Sequence, residues 1–129
     1  MDINTKDRRR QERVTVWSPI RLETEDGPVE ATLRNLSLAG VCCTARSDYA
    51  EMTRLKVSIE LPLDPQDPKE RLQLDVEGVV VRCRPQRRGS ARRRFELAIY
   101  FPDLKQKDRD MLETFVRCRS QDPEVVAPD

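Results

Sequence analysis

The chain has 129 residues, 36% of them charged and only 5% aromatic, and a formal net charge of +1. That length supports one domain with a single core, built from Val, Leu and Ile more than from rings. Near-neutral charge excludes a global pull toward nucleic acid or anionic lipid, no apolar run reaches bilayer length, and the absence of histidine excludes any Ser–His or Cys–His nucleophile pair.

Residues 1–13 hold one internal apolar residue, Ile3, and a basic cluster, Arg8-Arg9-Arg10-Gln11-Glu12-Arg13. They read as a flexible, solvated arm. Val14, Val16, Ile20 and Leu22 then alternate with polar residues, which predicts a strand with an edge or bend at Pro19. Asp26-Gly27 is a hairpin signal. Val29, Ala31 and Leu33 continue as a second, antiparallel strand. Asn35-Leu36-Ser37-Leu38-Ala39-Gly40 breaks the alternation as a polar turn, with Gly40 suited to a positive φ. Val41 to Ala45 forms a third strand, followed by a loop or one helical turn from Ser47.

Leu55, Val57, Ile59 and Leu61 alternate strictly and form the fourth strand. The three prolines between Pro62 and Pro68 predict a loop. The next apolar set sits on Leu72, Leu74 and Val76, then moves to Val79, Val81 and Cys83. A one-residue change of phase predicts a long strand over 71–84, bulged near Gly78. After a basic turn at Pro85 to Ala91, Phe95, Leu97, Ile99 and Phe101 make the sixth strand. Leu104, Met111, Leu112, Phe115 and Val116 fall at helical spacing, with Asp103 as a cap, and predict a helix ending near Arg119. Residues 120–129 read as a disordered tail. The expected fold is mainly β, a six-stranded antiparallel β-barrel with one C-terminal α-helix spanning residues 14–119.

Four cysteines are present with no C-x-x-C pair and no histidine, so no metal site is expected. They read as small apolar residues in a reducing compartment, and the protein is expected to be cytoplasmic. Abundant carboxylates single out no catalytic pair, so no enzyme activity is expected.

Singly, the arginine cluster is an ordinary basic arm and the Asn35–Gly40 segment an ordinary turn. Together they are more specific. Arg9-x-x-x-Arg13 just ahead of the first strand, and Asn35-x-Ser37-x-x-Gly40 at the entry to the third, resemble the paired motifs of the PilZ domain family. The resemblance runs over residues 8–118. It implies a barrel that binds cyclic di-GMP through Arg9, Arg13, Asn35, Ser37 and Gly40. A basic residue at the place of Arg8 implies a stacked pair of ligand molecules on each chain. Ala98 stands where the family often has glycine.

The residue chemistry agrees. An arginine fork can grip phosphate or pair with guanine O6 and N7, and its plane stacks on a base. Asn35 and Ser37 are short enough to reach a guanine edge. An arm that orders on the ligand would present a changed surface to a downstream protein partner, with Arg10 no more than solvated charge. The alternatives are a protein–protein adaptor of the same fold without nucleotide binding, and a small barrel binding nucleic acid. The second is disfavoured because exposed stacking rings are scarce.

Overall fold

The computed structural model describes residues 13–64, 66–86 and 94–120. The N-terminal arm apart from Arg13, the expected tail beyond Ser120 and most of the basic turn lie outside these residues. Six strands follow in order: β1 (Val14–Thr24), β2 (Gly27–Leu36), β3 (Gly40–Ala45), β4 (Arg54–Asp64), β5 (Asp67–Pro85) and β6 (Phe95–Tyr100). The helix α1 (Gln106–Ser120) comes last. The strands close into a barrel in the order β1-β2-β3-β6-β5-β4, each pair antiparallel.

The alternation sorts inside from outside. Val14, Val16, Ile20 and Leu22 of β1 are buried, as are Leu55, Val57, Ile59 and Leu61 of β4, while their odd or even neighbours face out. Leu33, Cys43, Leu97 and Ile99 complete the filled centre. Burying a chain of such side chains contributes roughly 1.5–3 kcal/mol each relative to exposure.

One seam is incomplete. β1 pairs with β4 only from Arg21 to Glu23. This explains Pro19 and Pro62, whose missing N–H groups fall where one flank of the strand has no ladder partner. α1 packs against this side through Leu112, Phe115 and Val116. Arg119 Nη2 donates to the Pro62 carbonyl at 3.1 Å, with the guanidinium 4.3 Å from the centroid of the Phe115 ring.

Several local expectations are corrected. The proline-rich stretch is mostly strand: β4 runs to Asp64 and β5 starts at Asp67, and Gln66 N donates to Asp64 Oδ1 at 2.9 Å in the turn. The bulge of β5 is at Val81, not Gly78, because the register against β6 slips between Val80 and Arg82. Val81 therefore faces solvent. Of the two readings for the segment after Ser47 the loop is the one found; Met52 sits at φ 74° and its N–H donates to the Val80 carbonyl at 2.7 Å. α1 begins at Gln106, too late for Asp103 to cap it, and includes Ser120. The turn at Gly27 does use a left-handed φ of 114°, as Asp-Gly predicts.

No helix among the described residues is long and apolar enough to cross a membrane, and no metal-holding cluster occurs among them.

Candidate ligand-binding site

Two of the six sequence-predicted residues, Arg13 and Asn35, meet between the adjacent strands β1 and β2. Arg13 Nη1 donates to Asn35 Oδ1 at 2.8 Å, although they are 22 residues apart. Antiparallel pairing of β1 with β2 makes this possible, since Val14 lies opposite Leu36 and Thr15 opposite Asn35. Arg13 is thus placed by the first rungs of the sheet. Arg8 and Arg9 lie outside the described residues.

Ser37 and Gly40 are beside this pair but do different work. Ser37 is fully buried. Its Oγ accepts from Ala39 N at 3.1 Å and Gly40 N at 3.3 Å, and donates to the Gly40 carbonyl at 3.4 Å. Ser37 N donates to that same carbonyl at 2.9 Å. The side chain thus ties the β2–β3 turn. Gly40 has no left-handed φ; it is glycine because an added Cβ would collide with the Ile99 carbonyl of β6.

The registers extend the site sideways. Thr15, Asn35, Cys42, Ala98 and Arg82 form one row across β1, β2, β3, β6 and β5. Cys42 and Ala98 are half-buried and small, so the outer face between Asn35 and Arg82 is a shallow floor. At strand spacing it spans about 14 Å. Arg82 and Arg84 are exposed on its far side. Tyr100, opposite Gly40, is 47% exposed at its end.

Sequence reasoning missed a second cluster. The Arg34 guanidinium lies 4.8 Å from the centroid of Trp17, and Nη1 is 3.7 Å from Glu96 Oε2. The bulge in β2 between Leu33 and Asn35 shifts its phase at Arg34, whereas Trp17 keeps the outward phase of β1. The available signal was an aromatic residue at a polar phase of β1. All three side chains are about one-third exposed, so each contact is weak on its own.

Cys43, one residue from the floor, faces the core. Burial, helped by Cys42 nearby, pushes its thiol up to about 12. It is inert as a nucleophile at neutral pH. Neither of two surface grooves, one along β1 and β4 and one at the far end of β2 and β3, is lined by Arg13, Asn35, Ser37 or Gly40.

The PilZ domain family model matches residues 7–118, and the chain belongs to that family. The fold is similar to the PilZ domain of YcgR from Escherichia coli, solved with c-di-GMP, at a TM-score of 0.63 and 15% identity over 88% of this chain and 92% of that one. It is similar to the inhibitor of motility MotI/DgrA of Bacillus subtilis, at 0.70 and 18% over 91% and 54%. It is also similar to PlzA of Borreliella burgdorferi in complex with c-di-GMP, at 0.54 and 12% over 88% and 44%. The chain thus spans about half of each of the latter two. No curated protein matches by sequence.

Proposed function

We propose that this chain is a non-catalytic cytoplasmic receptor for cyclic di-GMP. The observation that carries the reading is the Arg13–Asn35 contact, which unites the two halves of the motif at one edge of a shallow, basic-flanked floor. In the bound state Arg9 and Arg13 hold the phosphodiester and stack on a base, and Asn35 accepts from the guanine edge. Ser37 and Gly40 act through the turn they shape. Arg8 extends the arm's contacts to a second, stacked ligand molecule.

The arm provides the other wall of the site. Ordering each arm residue costs roughly 1–2 kcal/mol, and each charge-assisted hydrogen bond returns about 1.5–3 kcal/mol. The two nearly balance over a short arm, so ligand decides whether it closes. A partner protein then reads the closed surface.

Calorimetry with cyclic di-GMP tests this. Binding at micromolar affinity or tighter, corresponding to about 8 kcal/mol, is expected, with two ligands per chain. Arg9→Ala with Arg13→Ala should abolish it. Full-strength binding by that double variant would sink the receptor reading. No heat with the intact protein would favour the adaptor alternative.

A further inference from the structure

The groove at the far end of β2 and β3 has a volume of about 470 Å³ and is lined by Thr32, Thr44, Arg46 and Arg94, with Glu30 at one rim. That size suits a small metabolite. Arg46, just past the end of β3, lies four steps along the chain from Cys42, about 13 Å at strand rise.

Thr44 is 6% exposed, yet no hydrogen bond to its hydroxyl occurs among the described residues. That hydroxyl is not a buried unpartnered atom; it opens onto the groove, where a ligand can reach it. Arg46 and Arg94 form no ion pair among the described residues. Arg94 is fixed where the basic turn rejoins the barrel, since Gln86 N donates to its carbonyl at 2.8 Å. Glu96, the nearest carboxylate on β6, is already engaged by Arg34. Pro19 and Val29 add apolar atoms to its lining, while Ala31 and Ala45 beneath belong to the core.

We propose that this groove is a second anion site that takes a small phosphate ester. Arg46 and Arg94 grip the phosphate, and the Thr44 hydroxyl donates to it. Pro19 and Val29 seat the organic part, and Glu30 accepts from its hydroxyl or amino groups while repelling a second phosphate. This assignment is independent of the dinucleotide reading, because it shares no residue with the Arg13–Asn35 site.

The test is a titration of the isotope-labelled full chain, followed by amide resonances. The probes are inorganic phosphate, ribose 5-phosphate, guanosine 5′-monophosphate and guanosine. Saturable shifts at Thr32, Thr44, Arg46 and Arg94 are expected from the three phosphate-bearing probes, with the esters tighter than phosphate and guanosine inactive. Arg46→Gln with Arg94→Gln should weaken binding by about tenfold or more, because two charge-assisted contacts are lost. Arg13→Ala should leave it intact. Non-saturating shifts, an equal response to guanosine, full affinity in the double variant or loss of the response in Arg13→Ala would each overturn the assignment.

Discussion

Replacing Gly40 by Ala separates two roles for the motif glycine. A Cβ there runs into the backbone carbonyl of Ile99, which is held in the β3–β6 ladder opposite Val41, with Tyr100 opposite Gly40 itself. Phe101 N donates to the Ala39 carbonyl at 2.9 Å just beyond, so neither strand can slide away freely. Overpacking usually costs about 1–3 kcal/mol, and an immovable backbone obstacle places this case at the upper end. For a domain of 129 residues, each kcal/mol lowers Tm by about 4 °C. Gly40→Ala should therefore melt roughly 10 °C below the parent in a circular-dichroism scan. Gly78→Ala is the control. There the nearest obstacle is the Cγ2 methyl of the buried Ile99, which can give way only by repacking the core but is not backbone, so the loss should be smaller. If Gly40→Ala melts with the parent while losing ligand, the glycine serves close approach of a base and the strand-closure argument fails.

Ser37→Ala strips the hydroxyl from the Ala39 and Gly40 amides inside a buried turn, and should cost about 1–3 kcal/mol by chemical denaturation. Trp17 is the single tryptophan and contacts Arg34, so its emission should change with cyclic di-GMP, and Arg34→Ala should shift it without ligand. Under iodoacetamide at neutral pH, mass spectrometry should find Cys42 labelled and Cys43 spared, with ligand slowing Cys42. Because burial holds the Cys43 proton up to about 12 against 9.0 unfolded, its neutral form stabilises the fold below pH 9.0. That stability drains as pH rises through about 12, so Cys43→Ala should show a shallower alkaline loss over the same range.

The barrel was legible because period-2 alternation reports which side chains face a core, and β1, β2, β4 and β6 keep most of it. Bulges defeated the finer reading. An inserted residue reverses the phase, and the change at Val79 placed the β5 bulge too early; the register shows that it falls at Val81. The same device shifts the phase of β2 at Arg34, whereas Trp17 keeps the outward phase of β1 and was overlooked as a partner for it. Proline misled at Pro62 because a strand's tolerance for it depends on an absent neighbour, which is a tertiary fact. The motif residues were found by spacing, yet spacing could not divide them into Asn35, which faces a partner, and Ser37, whose hydroxyl is spent within its own turn.

That division makes Asn35→Asp the most informative substitution for the proposed receptor role. In the free protein Asn35 accepts from Arg13 at 2.8 Å, so the ligand must compete with a contact already made. A carboxylate would strengthen both sides of this competition. Arg13 is exposed, and an exposed ion pair contributes only about 0–1 kcal/mol after screening. Against a guanine edge covered by the arm, the carboxylate accepts two hydrogen bonds out of water, where charge assistance contributes about 1.5–3 kcal/mol. The bound state gains more, so Asn35→Asp should tighten cyclic di-GMP binding, with the gain retained at high salt because the liganded contact is shielded. Calorimetry at low and high salt measures both terms. Weaker binding by Asn35→Asp would mean that the Arg13 contact locks the site shut, and that position 35 gates the arm more than it reads the base.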